Sequence, residues 1–223
     1  MFADNPTARL VAVIGGSIVG LGLIIAIAVS ATSTSGEQSD AMAFGEVTIE
    51  GEGLPVFDPE AQPDPALGQV APTVTSDNLD KTEKITIGPD GRVKVLLFLA
   101  HWCPHCQREV PVVVDYLANN PLPEGVDFYG ISTLANKLQA NFPPHKWLQR
   151  ENFDFPALLD SREHEIQEAY GLFGTPFWVI LDGNNRVVQR TSGELPVEML
   201  DQIFRGAGAL AEAGDLPIPD TAP

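Results

Sequence analysis

Cysteine is scarce. Two in 223 residues are too few for a disulfide-stapled mini-fold, a four-cysteine zinc site or a cysteine-ligated iron–sulfur cluster. Basic residues are also short: 13 Lys and Arg face 30 Asp and Glu, and the net charge of −17 argues against nucleic acid as a partner. No phosphate-binding loop, calcium loop, Ser/His/Asp arrangement or internal repeat is present. What remains is enough chain for one or two domains and a real core, with 44% apolar positions distributed unevenly.

One long apolar run stands out. Leu10 to Ala31 holds 22 residues without a charge. As a helix it would span about 33 Å, enough for a hydrocarbon core. It is long for a cleaved signal, although Val29-Ser30-Ala31 offers a peptidase small residues, so an uncleaved anchor is expected. Arg9 before the run, against Glu37 and Asp40 after it, orients residues 1–9 to the cytoplasm and the rest outward. Gly16 and Gly20 form a GxxxG pair, which reads as ordinary membrane-helix glycine rather than a dimer contact.

Residues 32–67 are acidic and rich in Pro and Gly and read as a linker, with one short strand at Glu46–Ile49. Globular patterning follows over 68–210, and 211–223 read as a flexible tail. Val93–Ala100 is an apolar, β-rich run expected as a buried central strand. Cys103–Asn119 has helical spacing, with Pro111 expected to kink or break it. Strands are expected over Asp127–Ser132 and Phe155–Leu159, and a helix over Arg162–Tyr170 ended by Gly171. A hairpin follows (Phe177–Leu181, a Gly-Asn-Asn turn at 183–185, Arg186–Arg190), then a helix from Val197 to Leu210. The order predicts an α/β sandwich with a mixed sheet.

Both cysteines fall in Trp102-Cys103-Pro104-His105-Cys106, between that strand and that helix. A thiolate at a helix N-terminus meets unpaired N–H groups and the positive end of the dipole, so its pKa should fall. Pro104 lacks an N–H that would be orphaned there anyway, and a protonated His105 would favour the thiolate further. One turn on, Cys106 lies within disulfide reach. This is a layout for thiol–disulfide exchange, with Cys103 exposed and attacking and Cys106 more buried and resolving. A structural disulfide closing four residues gains little chain entropy. A metal site needs two more ligands, with His101 and His105 the nearby candidates. Haem attachment needs His after the second Cys, where Gln107 stands.

The run Trp102-Cys103-Pro104-His105-Cys106-Gln107-Arg108-Glu109-Val110-Pro111 resembles the membrane-anchored thioredoxin-like proteins of the TlpA/ResA type. Gly174-Thr175-Pro176 before an apolar strand, and Gly68-Gln69-Val70-Ala71-Pro72, resemble two further markers of that family. The resemblance implies a thioredoxin-like fold, a cis proline at Pro176 lying against the cysteines, and substrate contacts at Trp102, Thr175 and Pro176. It also associates Glu109 with the active site, where it would tune the cysteines or accept a proton from Cys106; as an ordinary helix acid it would be solvated. Two departures stand out. Leu97 occupies the strand position where many relatives carry a polar or acidic residue. The Pro-His pair is that of DsbA, an oxidant. Residues 134–153 fit an insertion whose His145 and Trp147 either approach the site or serve as packing residues on a helix, and His164 reads as a solvated helix residue.

The expected protein is a membrane-tethered, extracytoplasmic, bacterial thiol–disulfide oxidoreductase leaning towards oxidation. It needs no cofactor. Its partners would be protein thiols and disulfides, a redox partner that regenerates it, and the bilayer through residues 10–31. The alternatives are a reductase of apocytochrome c or metal-delivery thiols, a copper- or zinc-binding metallochaperone using Cys103, Cys106 and a histidine, and a tethered module with inert cysteines.

Overall fold

The computed structural model describes residues 39–214; the apolar run at 10–31, its GxxxG pair and the end of the expected tail lie outside them. Among the described residues no helix is long and apolar enough to cross a membrane.

Strand β4 (Val93–Leu99) is buried along its whole length and organises the molecule. Its side chains alternate, as a pleated strand requires. Val95, Leu97 and Leu99 enter one core with helices α1 (Pro104–Asn119) and α4 (Val197–Ala213), while Leu96 and Phe98 enter a second core on the opposite face. A continuous apolar run is therefore a strand covered on both sides. Parallel to β4 run β5 (Val126–Ser132) and then β6 (Ala157–Leu159). On its other side β7 (Phe177–Leu181) runs antiparallel to β4, and β8 (Val187–Ser192) antiparallel to β7, giving the order β6-β5-β4-β7-β8. The expected mixed sheet is there. A second sheet, β1 (Thr48–Glu50), β2 (Thr73–Asp77) and β3 (Lys84–Ile87), is antiparallel, and its Val74 and Ile87 join the second core.

Several elements differ from expectation. Helix α1 continues through Pro111 without a break. Two short helices follow β5 and β6, α2 (Pro144–Arg150) and α3 (Glu165–Ala169). The latter is shorter than expected because His164 stands at its N-cap in a left-handed conformation. Helix α4 runs to Ala213, three residues into the expected tail. The larger change concerns the expected linker. The compact unit carrying the sheet begins at Met42, and within residues 42–67 Leu54, Phe57 and Ala66 are buried in the second core.

An ion pair fastens that stretch. Arg190 on β8 forms a bidentate pair with Asp64 (Nη2–Oδ1 2.6 Å, Nε–Oδ2 2.8 Å) and donates through Nη1 to the carbonyls of Pro55 and Tyr170. Gly171 makes the approach possible: its φ is +64°, and a Cβ there would lie 2.3 Å from the Pro55 oxygen. Arg190 holds the Asp64 carboxyl below the usual carboxylate range, even though burial opposes the charge. Asp64→Asn is expected to cost about 2 kcal/mol, lowering Tm by roughly 4–8 °C at pH 7. Because the folded pKa is depressed, the wild-type advantage is complete above the unfolded value of about 4 and disappears as pH falls through the folded one. Thermal melts of both proteins at pH 7 and pH 3 check this: an equal gap at the two pH values would sink it.

Candidate active site

The loop leaving β4 turns at once into α1, with Cys103 at the N-cap and Pro104 at the first helical position. That junction places both sulfurs over the first core. Cys103 is 7% exposed and Cys106 fully buried. The first is thus less accessible than expected. Both cysteines are free thiols. Cys103 Sγ lies 3.2 Å from the carbonyl oxygen of Thr175, whose bond to Pro176 is cis, so the Gly174-Thr175-Pro176 marker does lie against the reactive sulfur.

The two thiols have opposite electrostatics. Burial pushes Cys103 up, but the Cys106 N–H, the contact with Thr175 and the His105 N–H outweigh it, and its pKa falls below the ordinary thiol value. For Cys106 burial dominates and takes the pKa up to about 12, despite the Ala100 N–H that points at its sulfur from 3.4 Å. The first gives up its proton more readily than an ordinary thiol, and the second holds it more tightly.

Glu109, one turn beyond Cys106, is 2% exposed, which removes the reading as a solvated helix acid. Its carboxylate accepts from the Leu195 N–H at 3.1–3.2 Å. Burial raises its pKa to about 7; the Leu195 N–H and the Trp178 indole pull it back, while the Glu194 charge pushes it up. That indole nitrogen is buried without a hydrogen-bond partner at standard geometry, and Trp178 faces Leu97 across the β4–β7 register. With Leu97 apolar, Glu109 is the buried carboxyl on the cysteine-bearing helix, three residues after Cys106.

His105 is exposed, and its Nδ1 lies 2.5 Å from Glu194 Oε1. Arg108 Nη2 is 2.5 Å from the same oxygen. His101, a candidate metal ligand from sequence, is fully buried with both ring nitrogens engaged. Nδ1 meets the Ala140 carbonyl at 2.7 Å and Nε2 accepts the Asn136 N–H at 3.1 Å, which assigns the proton to Nδ1. Burial lowers its pKa, so it is a neutral fastener for the insertion. Trp102, expected at the substrate, donates its indole N–H to the Leu134 carbonyl at 2.7 Å and ties down the same segment. Trp147 is a buried core residue, and His145 lines a separate cavity of about 380 Å³ with Asp80, Glu83 and Phe153. Among the described residues no group of three or more His, Cys, Asp or Glu is arranged to hold a metal ion. Glu194, Leu195 and the true role of His101 were not found from sequence, for lack of any local motif around them.

A dithiol at a strand–helix junction, backed by a cis proline, on a mixed sheet with helices against it defines a thioredoxin-like protein. The Redoxin family profile matches residues 66–204, and the chain belongs to that family. It is 26% identical over 139 residues to the thiol-disulfide oxidoreductase ResA of Geobacillus thermodenitrificans, covering 61% of this chain and 75% of that one. It is 28% identical over 158 residues to a thiol:disulfide interchange protein DsbE homolog of Paracoccus denitrificans, covering 70% and 82%. Among solved structures, a thioredoxin-family thiol:disulfide interchange protein from Chlorobium tepidum superposes with a TM-score of 0.51 at 20% identity, over 62% of this chain and 94% of that one. The resemblance to ResA-type proteins holds, and the chain is a thiol–disulfide oxidoreductase.

Proposed function

We propose that residues 10–31 anchor the chain in the cell membrane with its N-terminus cytoplasmic, and that the outward domain donates disulfides to protein thiols. The observation that carries the direction is the depressed pKa of Cys103 beside the raised pKa of Cys106. A substrate thiolate attacks Cys103 of the oxidised pair. The Cys103–Cys106 bond breaks, Cys106 leaves with the electron pair and takes a proton, and a mixed disulfide forms. A second substrate thiolate then attacks the substrate sulfur and expels Cys103. A sulfur with a low pKa is the better leaving group, so this second step favours release of oxidised substrate. The enzyme ends as a dithiol and needs an extracytoplasmic or membrane oxidant to regenerate it. Thr175 and Pro176 would receive the substrate backbone, and Trp102 would hold the rim of the site.

The opposite direction has its own support. Cys106 must become a nucleophile when the enzyme reduces a substrate disulfide, and the buried Glu109, with a pKa of about 7, is a fitting proton acceptor for it. In that direction the substrates would be the thiols of apocytochrome c or of a metal-delivery protein, as the resemblance to ResA-type proteins suggests. Equilibration of the full chain with glutathione and dithiothreitol separates the two. A disulfide near −120 mV makes this a donor, and one near or below −270 mV makes it a reductant. A metallochaperone has less support, because His101 has no free nitrogen and Glu194 engages His105.

A further inference from the structure

Glu194 lies in the short connection between β8 and α4 and is 89 positions from His105 in the chain. Nothing in the thiol chemistry described so far uses it directly. Yet the connection touches both sides of the site. Its carboxylate faces outward to the polar side chains of α1, lying 2.5 Å from His105 Nδ1 and accepting from Arg108 through Nη2 at 2.5 Å and Nε at 3.1–3.2 Å. The next residue, Leu195, turns its N–H inward to the Glu109 carboxylate. We propose that Glu194 is a positioning residue that sets the redox poise of the cysteine pair. It neutralises Arg108 and engages His105 beside Cys103 while its own backbone connection fixes Glu109. The proposal rests on the oxidoreductase reading and deepens it.

The physical argument concerns which charges the Cys103 thiolate meets. On α1 these are Arg108, His105 and the Cys106 thiol; from the loop before β7 comes Thr175; from the β8–α4 connection comes Glu194. Arg108 stands on the first turns of α1, five residues after Cys103, and couples electrostatically to it, so its cation favours the thiolate. Glu194 cancels much of that field, because two nitrogens of the guanidinium and one of the imidazole are bound to it. It does so at every working pH: the hydrogen bonds from Arg108 and then His105 hold its carboxyl at about 2. The imidazole is constrained as well. His105 Nδ1 lies between the Glu194 carboxylate at 2.5 Å and Arg108 Nη2 at 2.9 Å, so the ring is held in place by both. On the inner side, Glu109 faces Cys106 on its own helix, Trp178 on β7 and the Glu194–Leu195 connection, and the Glu194 charge keeps a proton on it to higher pH.

Removing the charge should therefore act on both groups in a defined direction. In Glu194→Gln, Arg108 is left uncompensated beside Cys103, the thiolate becomes more stable and the dithiol form is favoured. The equilibrium constant against glutathione is expected to move about tenfold towards a stronger oxidant, which is about 30 mV. The Cys103 thiolate absorbance should titrate at lower pH. In Arg108→Gln both quantities should move the other way, and the double variant should return close to wild type. The measurement is the potential and the thiolate titration of the full chain, wild type first, then the two single variants and the double. Reversal in the double variant is a result that loosened packing would not produce. If Glu194→Gln leaves the equilibrium constant against glutathione within twofold of wild type or makes the protein more reducing, the proposal fails. If Glu194→Gln does not fold, Arg108→Gln alone decides it by the sign of its shift. A wild-type pair that never equilibrates with glutathione refutes the oxidoreductase reading itself, which is a different failure.

Discussion

Cys106→Ser is expected to turn a transient exchange into a trap, and Cys103→Ser to abolish exchange. In the first variant Cys103 still exchanges with partner proteins, but no second sulfur resolves the bond. Mixed disulfides should accumulate as high-mass bands on non-reducing gels and collapse with dithiothreitol. In the second, the only sulfur with a depressed pKa is gone, and the one left is fully buried with a pKa of about 12. Turnover with a thiol substrate should fall on the order of 10³-fold or more. The asymmetry between the variants is the informative part. It follows from geometry: the Cys103 sulfur meets Thr175, whereas Cys106 lies beneath it on the core side of the same helix. A Cys103→Ser protein that still forms adducts as readily as wild type would show that the sulfurs play the reverse roles. Absence of adducts from both variants would leave the inert-module reading standing.

What could be read ahead of the structure was local. The strand of β4 declared itself as a continuous apolar run, and the cysteine pair declared its chemistry through two residues of spacing and its place before a helix. The hairpin of β7 and β8 was marked by Gly183-Asn184-Asn185, where Asn185 takes a positive φ and reaches back to the Ala71 carbonyl. What could not be read depends on partners far apart in sequence. Residues 42–67 look like a spacer because their composition is polar and acidic, yet Leu54 and Phe57 find an apolar face prepared by β7 and β4, and Asp64 finds Arg190 126 positions later. Composition counts the apolar residues a segment has, and here a few were enough because the surface they cover already existed. Glu109 could be placed one turn beyond Cys106, but only the packing of α1 against α4 and β7 decides that it is buried. His101 is, by sequence, a candidate metal ligand. Its commitment to Ala140 and Asn136 is a property of an inserted loop whose path no periodicity describes.

Burial of Glu109 makes a paired expectation about rate and stability, with opposite signs. As a carboxylate it is the base that can relieve Cys106 of its proton when that sulfur attacks a mixed disulfide, so the resolving rate of the wild-type chain should rise through about pH 7. Glu109→Gln keeps the shape and an acceptor for the Leu195 N–H but cannot take the proton. Its resolving rate at pH 8 should be about 10²-fold lower, and the inflection near pH 7 should vanish, leaving only a rise at high pH as Cys106 itself begins to ionise. Stability should move the other way. The folded pKa, about 7, lies above the ordinary 4.5, so this group favours the fold most below the unfolded value and loses that advantage as pH rises through the folded one. Above pH 7 the wild-type protein carries a buried charge that Gln lacks, and the variant should be more stable there by on the order of 2 kcal/mol, with little difference near pH 4. Stopped-flow resolution of a preformed mixed disulfide from pH 5.5 to 9, with thermal melts of the same samples, measures both. An unchanged pH profile would remove Glu109 from the proton path, and a variant less stable than wild type at pH 8 would show that its buried carboxylate is held by more than the Leu195 N–H.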